Sequence, residues 1–142
     1  MSARGLEARQ EARRWSLIAR VREVRVKRRQ IALAHARRSV HMAHVEVQAC
    51  EERLALHAAR YAPLIARCTH GATDASIWRE ALVRHRQADA ALHASLDAAQ
   101  TALHGALGAL EQFAATLRRE MRARDDALNR VRTMNAQLRD EA

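Results

Sequence analysis

Eight histidines and two cysteines are the residues of this 142-residue chain whose side chains could hold a metal or attack a substrate. His41 and His44 stand one helical turn apart, and Cys50 meets His93 only if the two halves of the chain fold against each other. A usual site needs three or four convergent ligands, and neither pair supplies them. Nor is there a glycine-rich phosphate loop, a nucleophile elbow or an HExxH helix. The expectation is therefore no catalytic residue, no metal and no cofactor. The thiols of Cys50 and Cys68 lie 18 residues apart, about 27 Å along a helix and too far for a disulfide. Reduced thiols fit a cytoplasmic setting.

The second candidate chemistry is anion binding. Formal net charge is +9, and residues 1–39 hold 12 basic and 3 acidic side chains, so that segment carries the whole excess; residues 40–142 hold 13 of each. Its centre is the run R-V-R-E-V-R-V-K-R-R at Arg20–Arg29. Such a run attracts an acidic surface, whether nucleic acid, anionic membrane or an acidic protein collar. Phosphate-backbone binding is weakened as a reading by the valines interleaved at seam-like spacing and by the absence of a DNA-reading module. Trp15 alone is no stacking platform. A basic amphipathic membrane helix is the lesser reading again.

The elements that must position these groups are helices. One Pro and four Gly interrupt the chain, and Ala, Leu, Arg, Glu and Gln dominate, the composition of a long helix or coiled coil. The stretch Thr69–Glu80 is the one place where Gly, Thr, Asp and Ser crowd together without apolar periodicity, so it reads as a loop. Before it, a row recurs every seven residues at Val26, Leu33, Val40, Val47, Leu54, Tyr61 and Cys68. Three positions further on stand Arg29, Ala36, Ala43, Cys50, His57 and Leu64. Leu17, Val21, Val24 and Ile31 precede it. After the loop a second row runs through Leu82, Asp89, Leu96, Leu103, Leu110, Leu117, Arg124, Val131 and Leu138, with Leu107, Ala114, Met121, Leu128 and Asn135 beside it. Trp78, Leu92, Phe113 and Met134 widen the stripe.

Seven-residue spacing kept this long predicts a left-handed coiled coil. The predicted fold is all-α, a long antiparallel two-helix coiled-coil hairpin forming one domain over 1–142. Helix 1 spans about 4–67 with a kink or break near 61–63, caused by Pro63. The bend covers about 68–74, centred on Gly71–Ala72, and helix 2 spans about 75–140, with Thr73, Asp74 or Ser76 as candidate N-caps. Folding there opposes Val26 to Leu117, Leu33 to Leu110, Val40 to Leu103, Val47 to Leu96 and Tyr61 to Leu82. The basic end then lies at the tip away from the bend. Two helices bury only their seam, so a partner or further copies should be needed for full order. Positions Ala94, Ser95, Ala98, Thr101, Ala102, Gly105, Gly108, Ala109 and Ala115 form a smooth outer face where charge is usual. The longest uncharged central run, Ala98–Leu110, is too short and polar to span a bilayer, and Met1–Arg14 lacks the apolar core of a signal peptide.

Two stretches carry a family resemblance. L-I-A-R-V-R-E-V-R-V-K-R-R-Q (Leu17–Gln30), leading into a long Ala/Gln/Glu-rich helix, resembles the start of the type III secretion stalk proteins, the YscO family, relatives of the flagellar export protein FliJ. T-D-A-S-I-W-R-E-A-L-V-R-H-R-Q (Thr73–Gln87) is similar to the family's pattern after the bend. Pro63 departs from that pattern. The resemblance implies a non-enzymatic stalk at the cytoplasmic face of the inner-membrane secretion apparatus, linking an ATPase hexamer to the export gate and escorting secretion chaperones. It implies ring contacts through Arg13, Arg14, Arg20, Arg22, Arg25, Arg28 and Arg29, and a gate contact through Trp78, Leu82 and His85. Without it, a coiled-coil tether or assembly scaffold is the alternative, and a basic nucleic-acid-binding helical protein is third.

Overall fold

In the computed structural model, which describes residues 2–70 and 75–141, almost every described residue is helical and no strand occurs among them. Helix α1 is Ala3–Ala59, α2 is Tyr61–His70 and α3 is Ala75–Asp140. The polar lead is helical from its third residue because Ser2 caps it. The Gly5 amide donates to Ser2 Oγ at 3.2 Å and to the Ser2 carbonyl at 3.0 Å, satisfying a donor that has no partner inside the helix.

The interruption before the loop falls at Arg60. Pro63 has no amide hydrogen to give the Ala59 carbonyl, and its ring crowds that carbonyl. The chain responds with a tight turn, the Arg60 amide bonding to the His57 carbonyl at 3.1 Å, and restarts with Leu64 to Arg60 at 3.3 Å. Pro63 thus occupies the first turn of α2, where a missing donor costs nothing. The predicted bend centre at Gly71–Ala72 and the candidate caps Thr73 and Asp74 lie outside the described residues. Ser76 is the second residue of α3 and so is not its N-cap.

Two units make up the chain, Met1–Arg37 with Ala109–Ala142, and Arg38–Gly108. In the first, Val26, Leu33 and Ala36 of α1 are buried together with Ala12 and Ala19, and Ala127 is buried on α3. Among the described residues Val26 is the one large side chain with no exposed surface. In the second, Val47, Cys50 and Ala99 form a small buried cluster against which Leu96 and Leu103 pack. Of the remaining seam positions, Val40, Leu54, Leu110, Leu117 and Val131 are half-buried.

The neighbouring row on α3 differs from the expected one. Leu107 and Leu128 are exposed. Ala114 and Met121 of that row are half-buried as expected and Asn135 is exposed; Leu92, Ala99, Ala106, Phe113, Ala127 and Met134, three residues after the leucine row, are all buried or half-buried. Alanines there let a helix approach closely, whereas a leucine row four residues on falls to the flank of the contact. On α1, Leu17, Val21, Val24 and Ile31 are exposed as well, so that apolar series is no part of the seam. Tyr61, placed in the seam row by its spacing, is also exposed.

The smooth stretch of α3 in the second unit faces outward. Ser95 and Thr101 turn their hydroxyls back onto the Ala91 and Asp97 carbonyls at 3.0 and 2.9 Å, which leaves the surface with little polar relief. A Cβ added at Gly105 or Gly108 meets nothing within 4 Å. Since glycine in a helix interior costs roughly 0.5–1 kcal/mol relative to alanine, Gly105→Ala and Gly108→Ala are each expected to stabilise by about that amount. Thermal melts of the single and double variants measure it, and a loss of stability would mean that something covers these positions.

Candidate interaction surface

Among the described residues no group of three or more His, Cys, Asp or Glu side chains could hold a metal ion. Cys50 and His93, opposed by the expected register, have other partners. The Cys50 thiol donates toward Glu46 Oε1 at 3.5 Å and the Ser95 carbonyl at 3.8 Å. Burial pushes that thiol up from its ordinary pKa, and the hydrogen bond to Glu46 and that carboxylate's charge add to the effect, against a smaller pull from Arg53. A protonated, enclosed thiol is a poor nucleophile. His93 instead faces Asp89 at 3.6 Å.

In the first unit the excess of basic over acidic side chains lies mainly on α1. Arg13, Arg14, Arg20, Arg25, Arg28 and Arg29 are exposed. A groove lined by Arg25, Arg28, Arg29 and Ala32 with Glu120 of α3 gathers three of them. Arg22 is the exception in the predicted set. It is half-buried, and its guanidinium donates to the Ala123 carbonyl at 2.6 Å. A charge-assisted bond of that length commits Arg22 to holding α1 against α3. Next to it Glu23 meets Arg124 at 3.4 Å, and Arg124 also reaches Asp125 at 3.2 Å. Trp15 is covered by the Arg130 guanidinium, 4.3 Å from the ring centre, a cation–π contact. In this unit the partners step down α3 as they step up α1, from Trp15 and Arg130 to Arg22 and Ala123.

In the second unit the partners also run in opposite senses, from Cys50 and Ser95 to His57 and His85. The three residues assigned to a gate contact are not equally available. Trp78 and Leu82 are half-buried. Arg67 of α2 lies over the Trp78 ring at 4.3 Å, and Leu56, Ala59, Arg60, Pro63, Leu64 and Arg67 line a shallow groove with Trp78. His85 is committed inside the unit. Its ring stacks on that of His57 with centroids 3.6 Å apart and planes 7° from parallel. His57 Nε2 donates to the His85 carbonyl at 2.9 Å, and His85 Nε2 donates to the His57 carbonyl at 2.8 Å. A carbonyl can only accept, so both rings carry their proton on Nε2. The His57 carbonyl lies in the last turn of α1, where it accepts the Arg60 amide at 3.1 Å, and His85 adds a second donor to it from α3. Asp89 at 3.8 Å from His57 Nε2 and Tyr61, 5.9 Å from the His85 ring, border the pair.

The expected register sets His57 opposite position 86, one residue from His85, so spacing brings the two histidines near each other. What it does not convey is the ring stack and the bond each ring makes to the other residue's carbonyl. Compared with protein-family models, curated proteins and solved structures, the chain matches none. No helix among the described residues is long and apolar enough to cross a membrane.

Proposed function

We propose that this chain is a non-enzymatic central stalk or adaptor of a bacterial type III secretion export apparatus, built as a long antiparallel two-helix coiled-coil hairpin. It stands at the cytoplasmic face of the inner membrane, links the ATPase hexamer to the cytoplasmic domain of the export gate, and escorts secretion chaperones. The observation that carries the reading is the array of exposed guanidiniums of Arg13, Arg14, Arg20, Arg25, Arg28 and Arg29 on a stretch of α1 held to α3. It is the chemistry needed to meet acidic loops of a ring. The resemblance of Leu17–Gln30 and Thr73–Gln87 to the stalk family supplies the ring's identity, and Trp78 with Leu82 is the side offered to the gate. His85 serves there by holding the helices beneath that side.

Pull-down of a hexameric secretion ATPase with this chain tests the reading. Capture is expected with the native chain and lost on combined Arg20→Glu, Arg25→Glu and Arg28→Glu, all at exposed positions, whereas Arg22→Glu should first destabilise the helix pair. Salt-sensitive DNA binding without ATPase capture would replace the stalk with a nucleic-acid-binding helical protein. Retention of an unrelated coiled-coil partner alone would leave a tether or scaffold.

A further inference from the structure

Helix α1 has two apolar faces, and the seam uses one of them. Leu17, Val24 and Ile31 recur every seven residues with Val21 between, yet Leu17 and Ile31 remain 60% and 59% exposed while Val26, in the middle of the same stretch, is 0% exposed. In a coiled coil each residue advances about 103°. On that count the Leu17–Val21–Val24–Ile31 row lies about half a turn from the Val26–Leu33–Ala36 row. This is a second three-four stripe on the side of α1 away from α3, within the first unit.

We infer that this outward stripe is a docking seam for an acidic amphipathic α-helix of another protein. Charge complementarity selects the occupant. Arg13, Arg20 and Lys27 repeat at seven-residue intervals along one edge of the stripe, all exposed, and among the described residues no carboxylate pairs with them. Glu23 is the one acidic residue of α1 between Ala12 and Ile31, and Arg124 neutralises it at 3.4 Å. A helix presenting an apolar a/d row flanked by Glu or Asp fits this face as one strand of a coiled coil fits another. A second copy through the same face would set basic edge against basic edge. A bilayer surface calls for a broader apolar face carrying Trp, Phe or Leu. This stripe is two residues wide, and the nearby Trp15 is covered by Arg130. Phosphate backbones would leave the apolar row in water.

Arg13 and Arg20 serve both this inference and the ring contact, but Val24 and Ile31 belong to this one alone, so changing them tests the stripe with every arginine of the ring contact in place. The test uses the full chain and a synthetic peptide of roughly four heptads with Leu at a and d and Glu at e and g. Fluorescence anisotropy should show saturable binding that weakens as salt rises. Val24→Glu with Ile31→Glu should weaken it about tenfold or more, with helix content unchanged by circular dichroism because both positions are already exposed. Arg13→Glu, Arg20→Glu and Lys27→Glu together should exchange specificity, losing the Glu peptide and gaining its Lys counterpart, a gain that a misfolded chain cannot produce. Equal binding of both peptides by the native chain, or stripe variants that bind as the native chain does, would overturn the inference. So would binding to phosphatidylglycerol vesicles with none to the peptide.

Discussion

Val26→Asp is expected to unfold the unit made by Met1–Arg37 and Ala109–Ala142 at temperatures where the native chain is fully helical. Among the described residues Val26 is the one large side chain with no exposed surface, so a carboxylate placed there is cut off from water. A buried, unpartnered charge costs several kcal/mol, about 3–5 in well-packed sites. A seam of half-buried leucines and buried alanines has little stability to spare against that. Leu103→Asp is the counterpart in the other unit, where Leu103 packs on the Val47, Cys50 and Ala99 cluster. It is half-exposed, so its cost should be smaller than that at Val26. Circular dichroism melts rank the two. Unchanged melting for Val26→Asp would mean that the inner face of α1 is assigned to the wrong side.

Loss of the histidine clamp should be the next largest effect. His57→Ala removes a donor to the His85 carbonyl, the ring stack and an almost wholly enclosed side chain. His85→Ala removes one of the two donors to the His57 carbonyl at the end of α1. Each single change is expected to cost about 2 kcal/mol, from one net hydrogen bond plus lost packing. Because the two rings touch, the double variant should cost less than the two singles together, with a coupling of about 1 kcal/mol or more. Urea denaturation of the four proteins measures the cycle. Additive effects would make the stack incidental. Exchange of His85 to Phe separates the contributions, since it keeps a flat ring and deletes the donor.

These two predictions also mark what sequence pattern conveys and what it does not. The seven-residue row Val26–Leu33–Val47 is buried where its spacing places it, since the period of an apolar row states which residues share a helix face. Pro63 likewise announces an interruption, because the missing amide hydrogen is a local covalent fact. The rest depends on geometry that spacing leaves open. Helix α1 is apolar on two opposite faces, and periodicity alone has no means of choosing which one α3 covers, so Leu17, Val21, Val24 and Ile31 look as internal as Val26. On α3, Leu107 and Ala99 are equally regular neighbours of the leucine row, and close approach of two backbones favours the smaller one. Arg22 is indistinguishable in sequence from Arg20 and Arg25, yet it alone reaches the Ala123 carbonyl. The His57–His85 clamp requires knowing how closely the two backbones approach, since each ring reaches the other residue's carbonyl. Of the interaction surface, then, its basic character was legible and its division into exposed and committed arginines was not.

Everything proposed for the chain rests on α1 and α3 of one molecule pairing in opposite directions, and a proximity cross-link tests that most directly. Glu23→Cys with Arg124→Cys, in a background with Cys50→Ser and Cys68→Ser, places thiols where an ion pair 3.4 Å long now joins the helices. Treatment with a short bismaleimide should give one intrachain product of monomer mass, and mixing tagged with untagged chains should give no hybrid. Cross-links found only between chains, or none at all in helical protein, would contradict the pairing and with it the hairpin.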